Sequence, residues 1–221
     1  MFPGDGERFI HIPTAQQTAV EDKSALFTSV LAELGVEVST GPVVDFRVKN
    51  SLRKLPGSGT VPLLYPTHFS GRIVEWPKPE GKKPNALAVN SETKKWLYPN
   101  GTYVVVRRFS SKEERRRIIA SVVSSTTFDA ELLGFENHLN VFHYKKRGLP
   151  DDLARGLALF LNSTAVDEHF RRFSGHTQVN ATDLRTMKYL PREKLAELGK
   201  NVEDVKALAQ DEIDRRVESV G

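Results

Sequence analysis

The chain has 221 residues, of which 39% are hydrophobic and 27% charged, a composition typical of a globular protein with one large or two small domains. It has no cysteine, which excludes disulfides and thiolate metal sites, and it has neither a membrane-spanning apolar run nor a secretory signal. The net charge is +4, but it is unevenly distributed. Residues 193–221 hold five Lys/Arg and eight Asp/Glu, a charge of about −3, so residues 1–192 carry about +7. A basic body with an acidic tail indicates a polyanionic partner for the body. Because the sequence has no membrane-spanning run and no signal, we expect a cytoplasmic location and no membrane partner.

The N-terminal part changes from a helical to an extended pattern. Met1–Gly6 resembles the interior of a longer chain, and we therefore expect a piece of a larger polypeptide. Apolar residues from about Ala19 to Leu34 recur at helical spacing, and Gly35 offers a stop. The alternation in Val36–Val38 and Val43–Val48 then predicts strands on either side of a turn.

The middle of the chain is rich in short apolar runs that predict strands. These runs are Val61–Tyr65, Ile73–Trp76, Ala86–Val89, Tyr103–Phe109, Arg117–Val123 and Asn137–His143. Trp76–Pro84, rich in Pro, Gly and Lys, predicts a long exposed loop. Ser110–Glu114 matches a helical capping box, but the β-branched run after it favours a tight connection followed by a strand.

From Pro150 onward the pattern is helical. The predicted segments run from Leu153 to Leu161, Ala165 to Phe173, Thr182 to Lys188, Pro191 to Gly199 and Val202 to Val217. The order predicts an α+β fold: a curved, mainly antiparallel sheet of short strands flanked by an N-terminal helix and a C-terminal helical segment. We expect one domain over 1–221, with a leading segment 1–18, a helix plus sheet over 19–149 and a helical part over 150–221.

Catalytic patterns are weak throughout. Gly57–Gly59 is a lone Gly-x-Gly with no helix pattern behind it, and Glu92–Lys94 lies in a polar turn rather than on a strand. The six histidines show no metal-ligand spacing. We therefore expect this chain alone to be non-catalytic, with no metal.

Binding candidates are more numerous, and most are basic. Around the predicted connection between two strands they are Arg107, Arg108, Ser110, Ser111, Lys112, Arg115 and Arg116, which could grip phosphates. A solvated turn, partly neutralised by Glu113 and Glu114, is the alternative. Further candidates are His138 and Asn140 on one strand face, with Asn137 structural, and the loop lysines Lys82, Lys83, Lys145 and Lys146.

The run Gly175–Arg185 is almost free of core-forming residues, yet it lies between helical segments. His176 and Thr177 are candidates for phosphate contact, and Arg185 is a further DNA-contact candidate. Gln178 and Asn180 either bind a base edge or fix the loop, and we favour the scaffold role. A plain helix–loop–helix with Thr177 or Thr182 as N-cap is the alternative.

Five segments together carry a family resemblance: Ser39–Arg47, Val61–Phe69, Arg107–Arg116, Gly134–Val141 and Gly175–Arg185. They resemble the C-terminal region of adenine-specific (N6) DNA methyltransferases of type II restriction–modification systems. The resemblance implies that this region recognises a sequence in double-stranded DNA, and it adds Thr40 and Arg47 to the candidates. It also implies a preceding methyltransferase domain of the same prokaryotic polypeptide that binds S-adenosylmethionine; we expect no cofactor here.

Methyl transfer itself does not carry over, because the Asn/Asp/Ser-Pro-Pro-Tyr/Phe motif of the family is absent from this sequence. An endonuclease fused to the same polypeptide is left open. One alternative is the recognition domain of a type I specificity subunit, a non-enzymatic DNA-binding adaptor that resembles Gly175–Arg185 more loosely. Type I specificity subunits have long coiled-coil spacers with many heptads, whereas the apolar pattern in Val202–Val217 covers barely two heptads, which argues against this alternative. A second alternative is a structural or protein-interaction domain without a nucleic-acid partner.

Overall fold

The computed structural model describes residues 27–110, 113–174, 177–200, 202 and 204–220. The strands are β1 (Glu37–Thr40), β2 (Leu52–Arg53), β3 (Thr60–Leu64), β4 (Phe69–Ser70), β5 (Ile73–Val74), β6 (Ala86–Ala88), β7 (Tyr98–Pro99), β8 (Tyr103–Arg107), β9 (Ala120–Val123), β10 (Leu132–Phe135) and β11 (Leu139–His143). The helices are α1 (Asp151–Leu161), α2 (Thr164–Phe173), α3 (Ala181–Thr186), α4 (Arg192–Lys200) and α5 (Gln210–Val220).

The centre of the molecule is a four-stranded antiparallel sheet in the order β1-β11-β8-β9. Both faces of this sheet are covered. Along β8, Val104 and Val106 pack into the core formed with the helices, whereas Tyr103 and Val105 pack into a second core on the opposite face. This explains why β8 is a continuous apolar run rather than an alternating one.

The second core joins the central sheet to a five-stranded sheet in the order β2-β6-β3-β10-β7. Leu64, Tyr98 and Phe135 from this sheet contact the inner residues of β8 and β11. All its pairings are antiparallel except that of β3 with β10. The result is three layers: helices, central sheet and second sheet. The prediction of an α+β fold with mainly antiparallel sheets is confirmed.

Two local predictions are wrong. Val43–Val48 is not a strand: Val43 makes a single bridge to Glu136, and Asp45–Arg47 forms a 3-10 turn. A Cβ on Gly41 would lie 2.2 Å from the Glu136 carbonyl oxygen, so the chain crosses close to that backbone and leaves the sheet. Alternation alone does not reveal this crossing.

The expected helix from Ala19 to Leu34 is also wrong where the structure describes it, and residues 19–26 lie outside the described part. Ser29 exchanges two backbone hydrogen bonds with Tyr189, and a turn follows that ends at Gly35 with φ of +63°. Pairing with a distant segment here overrides the local periodicity.

The last helices begin at residues other than the expected ones. α3 begins after Asn180, so neither Thr177 nor Thr182 is its N-cap. The predicted helix over Val202–Val217 divides into a 3-10 turn at Val205–Ala207 and α5. No helix in the described ranges is long and apolar enough to cross a membrane.

Candidate nucleic-acid interface

One end of the central sheet brings together four loop segments. The register places Thr40 beside Asn140, Leu139 beside Arg107, and Val106 beside Ala120. The segments that leave or enter the strands at this end are residues 41–48, the described parts of the connection from β8 to β9 (108–110 and 113–119) and residues 136–138. We call this end, with residues 177–180 beside it, the recognition end.

Residues 177–180 join the recognition end by backbone pairing. Phe109 and Gln178 form an antiparallel bridge. The Ser110 amide donates to the Thr177 carbonyl at 3.2 Å, and the Val179 amide donates to the Arg108 carbonyl at 2.7 Å. The C-terminal polar run thus lies against the segment that follows β8, which its position in the sequence did not predict. His176 lies outside the described residues.

Arg108 connects three segments of this end. Its guanidinium donates from Nη1 to the Asn137 carbonyl and from Nη2 to Gln178 Oε1, both at 3.1 Å. Its own amide donates to the His138 carbonyl at 2.9 Å. The Gln178 side chain therefore already has an intramolecular role, which supports the scaffold interpretation.

Asn140 corrects one prediction. Its side chain is fully buried, and Nδ2 donates to the Val179 carbonyl at 2.7 Å, so it fixes residues 177–180 to β11 rather than facing a partner. Asn137, expected to be the structural one, is only half-buried. Asn180 is the N-cap of α3, and its amide donates to Asp183 Oδ2 at 3.2 Å.

The basic cluster after β8 also separates into different environments. Arg115 is exposed, whereas Arg107 lies 3.7 Å from a Glu114 carboxylate oxygen. Arg116 is half-buried and donates to the Ser163 carbonyl at 3.2 Å and to Thr164 Oγ1 at 2.8 Å. Burial lowers the pKa of Arg116, although the carboxylates of Asp167 and Asp214 act in the opposite direction.

Ser110 was predicted to be a phosphate donor, but its side chain is only 4% exposed and is directed toward the Arg116 carbonyl. That prediction is wrong, because a buried hydroxyl cannot reach a phosphate without local opening. Ser111 and Lys112 lie outside the described residues. Arg117, the next residue after Arg116, is buried, and its guanidinium carbon lies over the ring of Phe170, 5.6 Å from the ring centroid.

His138 lies beside Arg108 and is held by a buried carboxylate. Glu136 is 1% exposed, and its Oε1 lies 2.6 Å from His138 Nδ1 while Oε2 accepts from the His138 amide at 3.0 Å. The imidazole ring also stacks with the ring of Phe109 at a centroid distance of 5.2 Å. Sequence analysis did not identify Glu136 or Phe109, since nothing in their local pattern separates them from strand residues.

The loop after β1 presents Arg47 to solvent, over the ring of the exposed Phe46 at 5.6 Å. Thr40 is half-buried at the end of β1. Lys83 is bound within the molecule: its Nζ lies 2.9 Å from Asp45 Oδ2, and Asp45 Oδ1 accepts from the Tyr65 hydroxyl at 2.7 Å. Lys82 next to it is exposed. Burial, and then the Asp45 bond, raise the pKa of Tyr65.

The remaining candidates lie elsewhere. Lys145 and Lys146 are exposed in the turn after β11, at the opposite end of the central sheet, with φ of 47° and 61°. The Lys146 amide donates to Nδ1 of the buried His143, whose pKa is lowered by burial. Arg185 is exposed at the free edge of β1, where its Nε donates to the Val38 carbonyl at 3.2 Å.

Two of the patterns considered in the sequence, metal-ligand clusters and the Gly-x-Gly turn, can be compared with the structure. They contain no cluster of three or more His, Asp or Glu that could hold a metal ion. Gly57–Gly59 lies in an exposed turn between β2 and β3, and residues 60–64 after it form a strand. A glycine turn that holds a cofactor phosphate or carboxylate against a helix N-terminus is therefore not formed there.

Comparison with known proteins finds two similar proteins of one kind. The chain is 55% identical over 219 residues to the Type II methyltransferase M.BsuBI of Bacillus subtilis, a match that covers 99% of this chain and 44% of the relative. It is 44% identical over 196 residues to the Type II methyltransferase M.PstI of Providencia stuartii, covering 88% of this chain and 39% of that relative. No family model matches. The chain thus spans less than half the length of these methyltransferases.

Proposed function

We propose that this chain is the DNA target-recognition part of a restriction–modification N6-adenine methyltransferase. The observation that carries the proposal is the recognition end, where exposed or half-exposed Arg47, Arg108, Arg115 and His138 lie on loops of a rigid sheet. Similarity to part of two type II methyltransferases supports it. Loops fixed on a rigid sheet are a common platform for a specific binding surface.

The proposed division of labour follows from the chemistry of base modification. An enzyme that methylates an adenine must rotate that base out of the duplex, which costs a few kcal/mol. The rest of the polypeptide would bind S-adenosylmethionine and the rotated base. This chain would hold the duplex by its phosphates and identify the sequence from the base edges.

The C-terminal helix favours this proposal over a type I specificity subunit. α5 is 11 residues long, and its Ile213 and Val217 are buried in the core that contains α1 and α4. A spacer that forms a coiled coil would instead present an apolar seam to a second helix over several heptads. α5 therefore belongs to this domain rather than to a spacer.

The test measures binding of the intact protein to duplex DNA over a range of salt concentrations. We expect affinity to fall steeply with salt, and Arg115→Ala to reduce the slope of log K against log salt by about one. Lys145→Ala is the matched control, because it removes one exposed charge at the opposite end of the sheet. Its slope should equal that of the unmodified protein.

Two results would contradict the proposal. Binding to duplex DNA that is absent or independent of salt would remove the function itself. A salt slope that is reduced in Lys145→Ala but unchanged in Arg115→Ala would show that DNA binds at the opposite end of the sheet. The melting temperature of both variants, expected to be unchanged, excludes unfolding as the cause.

A further inference from the structure

Phe109 is an exposed aromatic residue whose position is fixed on two sides. The residue is 52% exposed, although its ring stacks on the ring of His138 at an interplanar angle of 35°. Its backbone pairs with Gln178. Single exposed apolar residues are common on protein surfaces, but they are not usually held in one orientation by their neighbours.

The support beneath Phe109 contains a buried carboxylate. Both oxygens of Glu136 bind His138, one at the ring Nδ1 and the other at the amide. Burying a carboxylate is costly unless its hydrogen bonds are satisfied, so this bond fixes the imidazole of a side chain that remains 40% exposed. Because Nδ1 faces Glu136, Nε2 lies at the opposite edge of the ring.

One guanidinium lies beside the pair. Arg108 adjoins Phe109 in the chain, and its guanidinium donates to two uncharged oxygens, of Asn137 and Gln178. These bonds position the charge without neutralising it. An apolar ring, a fixed imidazole and a guanidinium thus lie together at the recognition end, and proteins combine these groups where they contact bases within a charged backbone.

We propose that Phe109 and His138 contact DNA bases directly, with the Phe109 ring against an apolar base surface and His138 Nε2 at a base edge. Glu136 is a positioning residue that acts through His138. This inference rests on the proposed function and adds the residues that determine specificity. A phosphate offers no apolar surface to a phenyl ring, whereas the face of a base and a thymine methyl do, so the ring indicates a base rather than a phosphate as its target.

The experiment selects bound duplexes from a pool with a randomised centre, using the intact protein, and sequences them. Phe109→Leu should reduce the preference at one or two base pairs by about tenfold, since one base contact contributes discrimination of about this size. The salt slope should not change. Phe109→Tyr keeps the ring and should keep the preference. Tyr144→Leu removes an aromatic residue that is 46% exposed at the opposite end, and it should have no effect.

Glu136→Gln should reduce the preference at the same base pairs. If the Glu136 variant does not fold, the variants of the exposed Phe109 still test the inference. Replacing thymine with deoxyuridine at those pairs shows whether the ring contacts a thymine methyl or stacks on a base. An unchanged preference in Phe109→Leu would overturn the inference, as would a uniform loss of affinity with a smaller salt slope. If the unmodified protein binds DNA but selects no sequence, or does not bind at all, the proposed function fails before this inference is reached.

Discussion

At the scale of single residues, adjacent arginines have different roles. Arg116 bonds to Ser163 and Thr164, where α1 gives way to α2, and Thr164 in turn donates to Asp214 Oδ2 at 2.6 Å. We expect Arg116→Ala to lower the free energy of unfolding by about 1–3 kcal/mol, because two acceptors lose a charged donor. Urea unfolding measures this, and Arg115→Ala is the control with a change near zero.

The same Arg116 variant separates structure from binding. Its salt slope for DNA should match the unmodified protein, since the guanidinium is occupied within the fold. A smaller slope with unchanged stability would mean that Arg116 leaves its internal partners to bind phosphate.

Gln178 supports a second prediction at this scale. Gln178→Ala removes the acceptor of Arg108 Nη2, so we expect a loss of about 1 kcal/mol in stability and the same DNA sequence preference. Thr177→Ala is the control for stability, because Thr177 is exposed and only its backbone carbonyl bonds to the Ser110 amide, which the substitution leaves in place. A relaxed preference at an unchanged melting temperature would instead assign Gln178 to base contact.

At the scale of elements, the closest approach is between α1 and α4. A Cβ on Gly199 would lie 1.9 Å from the Asp152 carbonyl oxygen, and one on Gly156 would lie 1.7 Å from that of Leu195. Both obstacles are backbone atoms, which cannot rotate away as a side chain would. The two glycines therefore allow the helices to touch through their backbones.

We expect Gly199→Ala to destabilise the protein by about 2 kcal/mol or more, measured by urea unfolding. Alanine favours a helix over glycine by about 1 kcal/mol, but separating two packed helices costs more than this gain. Gly57→Ala, which has open space at its Cβ, should change stability by less than about 0.5 kcal/mol. Stabilisation by Gly199→Ala would mean that the helices can separate at little cost.

At the scale of the whole molecule, local patterns predicted more than contacts between distant segments did. The apolar run in Tyr103–Phe109 predicted β8, and the helical periodicity of Leu153–Leu161 predicted α1, because each pattern reflects the burial of that element alone. Gly199 lies at the end of α4 as predicted, one residue before Lys200, but the sequence did not show that it also touches the backbone of α1. β10 was missed, since its Gly134 has no side chain to show an alternating pattern.

The candidate site shows the same limit. The polar character of the run ending at Arg185 could be predicted from the sequence, and so could the basic connection after β8. Their pairing through Phe109 and Gln178 could not, because these residues are 69 positions apart and no local rule joins them. Nor could the sequence show that Asn140, rather than Asn137, would be the buried amide.

Two buried histidines, His68 and His143, make the stability of the whole fold depend on pH. Burial lowers the pKa of His68 from 6.5 to about 4, and its Nδ1 accepts from the Tyr65 amide at 3.1 Å. As the pH falls below about 6.5, the unfolded chain gains a proton on this residue while the folded protein does not. Stability should therefore fall by about 2 kcal/mol from this residue alone between about pH 7.5 and pH 5.

His143 acts in the same direction, since burial also lowers its pKa. It belongs to the central sheet, and its ring contacts Tyr98 of the second sheet at 5.5 Å, so we expect both histidines to contribute to one unfolding transition. Urea unfolding at the two pH values tests this in the unmodified protein and in His68→Asn, whose amide oxygen can accept from Tyr65. The variant should lose less stability at the lower pH. An equal loss in both proteins would show that His68 is protonated in the folded state at pH 5, and two separate transitions would show that the layers unfold independently.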